Sequence, residues 1–122
     1  IFGIPKETRE DMMETVLYVA RKKLWGVKIH SLYIQEDTDL KKVYEEEGFP
    51  LLEKEEYIQL VADALERLPK ETVIHRLTGD PPRKLLVAPS WTTDKLYILH
   101  RIGEVLKERN SYQGKYAERE NR

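Results

Sequence analysis

The fold is decided by residues 1–34, IFGIPKETREDMMETVLYVARKKLWGVKIHSLYI. An apolar run at residues 1–5 is followed by a helical pattern and then by β-branched and aromatic residues at positions 27–34. A strand, a helix and a second strand joined by short loops make a βαβ unit, which pairs its strands in parallel through a right-handed crossover. The sequence therefore predicts an α/β fold with a parallel sheet.

The helix of this unit has a recognisable start and one apolar face. Thr8 and Asp11 have the spacing of a capping box, in which the hydroxyl accepts from the amide three residues on and the carboxylate reaches back. We expect this helix to run over residues 8–24, to be stopped by Gly26, and to bury one stripe of side chains: Met12, Met13, Val16, Leu17, Ala20 and Leu24.

Downstream, the patterning predicts three more helices at residues 39–47, 53–68 and 93–109 and two more strands at 72–77 and 84–88. Three or four parallel strands are too few to close a barrel, so at least one sheet edge should be open. We expect one domain over residues 1–109, followed by a polar, flexible tail at 110–122.

Composition narrows the classes of function. The 122 residues carry a net charge of −1, and their Lys and Arg are spread among acidic residues, which does not indicate an electrostatic nucleic-acid binder. Without a membrane-spanning window or a signal-peptide pattern, the chain is interpreted as soluble and cytoplasmic. Cys is absent, which excludes disulfides, thiolate catalysis and Cys-ligated clusters within these residues.

Functional groups of parallel α/β folds collect at the carboxyl edge of the sheet, and three segments should reach that edge. The first is the turn at residues 3–8, where Gly3 allows close approach of a ligand and the helix start offers free amides. An ordinary capped turn is the more common alternative. The second is His30, in the middle of its strand, where a structural histidine is more common than a ligand or base.

The third segment, HRLTGDPPR at residues 75–83, is the densest cluster of polar functional groups. His75 and Arg76 should point to opposite faces of their strand, so only one of them lines a given cavity. His75 or Asp80 can move a proton, and Arg76 can hold an anionic group. The alternative is a turn capped by Asp80 with Arg76 in a salt bridge. The histidines at 30, 75 and 100 lack metal-ligand spacing.

Several segments resemble the C-terminal part of radical S-adenosylmethionine (SAM) proteins, and most of all a branch of uncharacterised bacterial Fe–S oxidoreductases. The resemblance covers residues 1–114, and HRLTGD is its most specific part. The region is also similar to one in the catalytic subunit of the Elongator tRNA-modifying complex. The segments are IFGIPKETREDMMET, GVKIHSLYI, VIHRLTGDPPRKLLVAPSWTTDK and SYQGK.

The resemblance implies roles for individual residues. Ile1 and Gly3 match the I-x-G of the superfamily's G-x-I-x-G-x-x-E pattern. In the superfamily this strand passes near the adenine of SAM. Glu7 lies one position after the place of the pattern's glutamate. The implied cofactor-binding residues are Ile1, Gly3, Pro5 and Glu7. The implied substrate-side residues are His30, Arg76 and Thr78 for binding and His75 and Asp80 for catalysis, with no metal ligand.

The resemblance also implies that the chain is the C-terminal portion of a partial (βα) TIM-like barrel. The full-length parent would hold a [4Fe–4S] cluster and SAM and cleave SAM to a 5′-deoxyadenosyl radical, with tRNA as a candidate substrate. The chain alone should be inactive and bind neither cofactor. Its expected partners are the missing N-terminal half of the barrel and a second copy at the open edge, with no membrane. The alternative is a non-catalytic α/β interaction or dimerisation module.

Overall fold

The computed structural model describes residues 1–117, in which four α-helices surround short strands. The elements are α1 (Arg9–Arg21), β1 (Gly26–Lys28), β2 (Ile34–Gln35), α2 (Asp39–Glu47), α3 (Lys54–Arg67), β3 (Val73–Arg76), β4 (Leu86–Ala88) and α4 (Lys95–Glu108), with a 3₁₀ turn at Ser90–Thr93. The predicted positions of all four helices are confirmed to within a few residues.

The capping box of α1 is confirmed. The Asp11 amide donates to Thr8 Oγ1 at 3.1 Å, and the Thr8 amide donates to Asp11 Oδ2 at 3.0 Å. The helix ends at Arg21 and not near Leu24, because the chain leaves the helical path at Lys23, which has a φ of +51°. Leu24 is therefore exposed and does not belong to the buried stripe.

The parallel sheet is confirmed, but it is smaller than predicted. β1 pairs in parallel with β3, and Phe2 adds one parallel bridge to Ser31. The strand predicted at 27–34 is divided: its register shifts after Val27, and Ile34 pairs instead with β4 in an antiparallel ribbon. The result is a mixed α/β fold with a small parallel sheet, and the described residues form no closed barrel.

β4 was expected to join the parallel sheet, and this expectation is wrong. Residues 77–85, which link β3 to β4, are fewer than the dozen or more that a parallel crossover requires. The prolines of this link favour a turn, and the Leu85 amide donates to the Pro82 carbonyl at 3.0 Å. β4 therefore runs antiparallel to β2, where its pairing holds the chain after β1 in place.

The core centres on Tyr57, a fully buried residue of α3. Its ring lies 6.3 Å from the ring of Phe2 and 5.4 Å from that of Trp91, and its hydroxyl donates to the Leu77 carbonyl at 2.7 Å. One side chain thus contacts the first strand, the segment after β3 and the turn before α4. Helix α4 packs on α3 and buries one face, formed by Ile98, Ile102 and Val105.

The residues after α4 return to the end of α3. Arg109 donates to the buried carboxylate of Glu66 at 2.9 Å, and Ser111 donates to the same carboxylate at 2.5 Å. Gln113 Nε2 donates to the carbonyls of Pro69 and Thr72 at 2.8 Å each. The tail is thereby bound to the core as far as it is described; residues 118–122 lie outside the described residues, and their flexibility stays a prediction.

We expect Tyr57→Phe to lower the free energy of unfolding by about 1–2 kcal/mol, because the Leu77 carbonyl loses a buried donor while the ring packing is kept. Urea denaturation measures this change. Tyr18→Phe removes a hydroxyl from a side chain that is 57% exposed and should change stability by less than about 0.5 kcal/mol. Equal effects of the two substitutions would contradict the assigned role.

Burial also raises the pKa of the Tyr57 hydroxyl above its usual value of 10.0. In the unfolded chain this hydroxyl ionises first, so its contribution to stability is complete below pH 10 and declines as the pH rises further. Denaturation midpoints measured between neutral and alkaline pH should fall less steeply in Tyr57→Phe than in the wild type. Parallel pH profiles would show that another group causes the decline.

Arg109→Leu should destabilise the fold by roughly 3 kcal/mol, because the buried Glu66 carboxylate loses its nearer cationic partner, at 2.9 Å, and keeps Arg67 at 3.8 Å. Thermal or urea unfolding gives the value. The control is Lys107→Leu. Lys107 lies in the last turn of α4 and forms no ion pair within residues 1–117. A loss no larger in Arg109→Leu than in Lys107→Leu would show that the ion pair does not stabilise the fold.

Candidate functional site

Three predicted segments meet at the carboxyl edge of the parallel sheet. The Phe2 amide donates to the His30 carbonyl at 2.9 Å, and the Leu32 amide donates back to Phe2 at 2.8 Å. On the other side, the Ile29 amide donates to the Arg76 carbonyl at 2.9 Å. The turn after Phe2, the residues around His30 and the loop after β3 therefore leave the sheet side by side.

The turn after Phe2 is tight and borders a cleft. The Glu7 amide donates to the Ile4 carbonyl at 3.0 Å, and Gly3 has a φ of +94°. A Cβ at Gly3 would lie 3.1 Å from Leu52, so glycine allows the turn to pack against the segment before α3. The cleft, of about 550 Å³, lies between this turn, α1, residues 49–52 and α3.

Three of the four residues implied to bind the cofactor line this cleft: Gly3, Pro5 and Glu7. Ile1 does not, and its side chain is 59% exposed. Oε1 of Glu7 is shielded from solvent and accepts no hydrogen bond within the described part of the chain. A shielded acceptor beside a cleft can take a hydrogen bond from a ligand amine or hydroxyl, because such groups otherwise incur a desolvation cost.

His30 packs beneath the loop after β3. Gly79 is buried there, and a Cβ at this position would lie 3.0 Å from the Tyr33 ring and 3.5 Å from the His30 Cβ. Glycine thus lets the loop approach both side chains. Nδ1 of His30 is shielded from solvent and has no hydrogen-bond partner within residues 1–117.

The surroundings of His30 favour the neutral imidazole. Burial lowers the pKa of His30 below its usual value of 6.5, and nearby positive charges, Arg76 and Lys28 among them, lower it further, whereas an interaction with the Ser31 backbone opposes the shift. A neutral imidazole has one donor and one acceptor nitrogen. His30 can therefore exchange hydrogen bonds with a substrate at neutral pH.

The two predicted catalytic residues, His75 and Asp80, contact different elements of the fold. The His75 ring lies 5.3 Å from the ring of Trp25, near the amino end of β1. Asp80 forms an ion pair with Lys95 of α4. The hydrogen bond from Lys95, its charge and the charge of Arg76 lower the pKa of Asp80 from its usual value. Because this carboxylate is ionised at neutral pH, it is better suited to anchoring the loop than to donating a proton.

Arg76 and Thr78 line a second, shallower cleft of about 400 Å³ between the end of β3 and α4. Arg76 lies close enough to His30 and to Asp80 to lower the pKa of both. The guanidinium forms no ion pair with any residue from 1 to 117, since Asp80 pairs with Lys95 instead. The salt-bridge alternative for Arg76 is therefore wrong within this part of the structure, and the group faces a cleft in which it can bind an anion.

Sequence reasoning missed several residues that shape these clefts. Lys95 lies 15 positions after its partner Asp80, and residues 49–52 are brought to the first turn only by the packing of α3. The rest of the predicted arrangement is mixed: His75, Arg76, Thr78 and Asp80 line the second cleft, whereas His30 lies beneath the loop and outside that lining. The assigned roles of the predicted site residues all stay predictions.

The residues of this chain do not fit an iron–sulfur cluster. The sequence contains no Cys, and the described residues include no group of three or more His, Asp or Glu side chains arranged to hold a metal ion. The first turn fits a polar organic ligand better, since Glu7 offers a shielded acceptor there. No helix in residues 1–117 is long and apolar enough to cross a membrane.

We expect the NMR titration midpoint of His30 to lie below 6.5 and to rise in Arg76→Ala, because the substitution removes a positive charge near the ring. A lowered pKa in the folded state also means that stability falls as the pH drops below 6.5. Lys42→Ala, a charge deletion on α2, is the control and should leave the midpoint unchanged. A midpoint at or above 6.5 in the wild type would contradict the described surroundings.

Comparison with known proteins places these features in a wider group. The family model of the radical SAM C-terminal domain matches residues 24–108. YtqA, an uncharacterised protein of Bacillus subtilis, is 42% identical over 119 residues, which are 98% of this chain and 37% of the relative. An uncharacterised protein of Methanocaldococcus jannaschii is 35% identical over 115 residues, 93% of this chain and 36% of the relative.

The YhcC protein of Escherichia coli K12 is more distant, at 26% identity over 108 residues, which are 88% of this chain and 35% of that protein. The chain thus spans little more than a third of the length of these curated relatives.

Proposed function

The chain belongs to the radical SAM C-terminal domain family, and from this premise we propose that it is part of a radical SAM enzyme. In that enzyme it forms the C-terminal portion of a partial (βα) TIM-like barrel, and other residues of the parent hold the [4Fe–4S] cluster. The parent cleaves SAM to a 5′-deoxyadenosyl radical. The observation that carries this proposal is the family match over residues 24–108, which includes the whole HRLTGD segment.

The first turn supplies the part of the SAM site that this chain contributes. Gly3 lets the backbone approach the ligand, Pro5 shapes the turn, and Oε1 of Glu7 accepts a hydrogen bond from the ligand. The adjoining cleft supports this assignment, because an apolar cavity with a few oriented polar groups is the usual form of a small-molecule site. Ile1 contributes through its strand and not through the cleft.

The loop after β3 forms the substrate side. Arg76 binds an anionic group of the substrate in the cleft that it lines with Thr78. His30 does not line this cleft; it lies beneath the loop, where its neutral imidazole can hydrogen-bond to a part of the substrate that reaches past the loop. Asp80 positions the loop through Lys95. An RNA substrate agrees with the anion-binding role of Arg76 and with the resemblance to the Elongator catalytic subunit, and we propose tRNA as the substrate class.

The remaining residues of the parent are the proposed partner of the first strand. Phe2 makes one bridge, to Ser31, and within residues 1–117 no strand pairs with its other edge. An open strand edge is a ready partner for another strand. The preceding half of the barrel would cover it.

The test is anaerobic purification of the full-length parent with a reconstituted cluster, followed by measurement of 5′-deoxyadenosine by mass spectrometry. We expect Glu7→Gln to raise the KM for SAM roughly tenfold, since a charged acceptor contributes about 1.5 kcal/mol or more. Glu10→Gln is the matched control, because Glu10 lies three residues further along the chain and is exposed. The proposed function fails if the reconstituted parent, with an intact cluster spectrum, releases no 5′-deoxyadenosine.

A second candidate function is a non-catalytic dimerisation module. It is favoured by the edge of β3 that pairs with no strand within residues 1–117 and by large exposed apolar side chains, since Trp25 is 75% exposed and Leu96 is 85% exposed. Light scattering on the purified chain tests it. A monomer at all concentrations would remove this candidate, whereas a dimer lost in Trp25→Ser but kept in Tyr18→Ser would support it.

A further inference from the structure

A separate surface lies at the far end of α3 from the candidate site. Helix α3 has 14 residues and is about 21 Å long. The first candidate cleft borders it from Glu56 to Asp63, and the last turn of the helix lies beyond that cleft. Around its last turn, three lysines and two tyrosines come together from α4, the α3–β3 link and the C-terminal segment. We call this the Lys/Tyr surface, formed by Lys70, Lys107, Tyr112, Lys115 and Tyr116.

Lysines and aromatic rings alternate across this surface. Lys70 Nζ lies 5.3 Å from the centre of the Tyr112 ring, and Lys115 Nζ lies 5.6 Å from that of Tyr116. Tyr112 is 52% exposed, so one part of its ring remains accessible. A cleft of about 570 Å³ runs between α4 and the C-terminal segment, and its lining includes Lys107 and Lys115 but no carboxylate.

In the part of the chain that the structure describes, the lysines of this surface have no acidic partners. None of the three forms an ion pair within residues 1–117, in contrast to Lys41, Lys54 and Lys95. The nearby carboxylate of Glu66 is buried and already bound to Arg109. Within residues 1–117, none of the three lysine charges is therefore neutralised by an ion pair, although the whole chain carries a net charge of −1.

The backbone beneath the surface is held in place. The Gly114 amide donates to the Leu65 carbonyl at 2.9 Å, and the Tyr116 amide donates to the Glu66 carbonyl at 2.8 Å. Gly114 has a φ of +85°, and a Cβ there would lie 2.8 Å from Lys70 Cγ. The two tyrosines therefore project from a fixed segment, which reduces the entropy lost when a ligand binds.

We propose that the Lys/Tyr surface binds single-stranded nucleic acid. Lysines along a groove contact successive phosphates, and an exposed aromatic ring stacks on a base without regard to its identity. An acidic peptide would use the lysines but not the accessible ring of Tyr112. The surface adds a second contact for a nucleic-acid substrate, remote from the candidate site. Only the identification of the nucleic acid as a substrate rests on the proposed function.

Fluorescence anisotropy of the full chain with a labelled, unstructured 20-nucleotide RNA, and with DNA of the same sequence, tests the proposal at several salt concentrations. The triple variant K70A/K107A/K115A should bind at least tenfold more weakly, and its log–log salt slope should be smaller by about 2, because roughly 0.7 is lost per phosphate contact. Tyr112→Ala should weaken binding about fivefold or more at an unchanged salt slope.

The control K22A/K23A/K42A removes three exposed lysines elsewhere and should bind as the wild type does. Unchanged melting temperatures confirm that each variant is folded. The proposal is overturned if the wild type binds neither strand, if the control loses as much affinity as K70A/K107A/K115A, or if polyglutamate displaces the RNA at equal charge concentration. A difference between the RNA and DNA arms identifies the preferred sugar. SAM cleavage by the parent is measured without nucleic acid, so its failure would leave the anisotropy result intact.

Discussion

The fold depends on one buried tyrosine that satisfies a backbone carbonyl across the core. Tyr57 reaches from α3 to the Leu77 carbonyl, at the point where the chain leaves β3 and enters the link to β4. Its ring meanwhile separates Phe2 from Trp91. The first strand, the loop after β3 and the start of α4 are thus all positioned against one rigid ring, which matters in a sheet with so few ladder hydrogen bonds.

This arrangement divides the carboxyl edge into two clefts with different chemistry. The first, at the turn of residues 3–8, is mainly apolar and contains the shielded acceptor of Glu7. The second, at the end of β3, presents Arg76, which forms no ion pair within residues 1–117, near His30, whose pKa is lowered mainly by burial. We propose the first cleft for the cofactor and the second for the substrate, on the basis of the family to which the chain belongs.

Much of this could be predicted from sequence where the signal is local. The capping box at Thr8 and Asp11, the helix limits and the meeting of three segments at the carboxyl edge follow from spacing and βαβ geometry. Three features do not follow from the sequence: the antiparallel pairing of β4, the contact between the rings of His75 and Trp25, and the Asp80–Lys95 pair. Each depends on tertiary contacts between segments that sequence patterning treats separately. The same holds for the Lys/Tyr surface, whose lysines are diluted by acidic residues along the chain.

The closure of Glu66 by Arg109 and Ser111 has a consequence for how the chain folds during synthesis. Until residues 109–116 have left the ribosome, the carboxylate has Arg67 at 3.8 Å but neither Arg109 nor Ser111, and the carbonyls of Pro69 and Thr72 lack the Gln113 amide. During this interval the α3–β3 link remains open and hydrated. Residues 109–116 therefore complete the contacts at this end of α3 only after residues 1–108 have been synthesised.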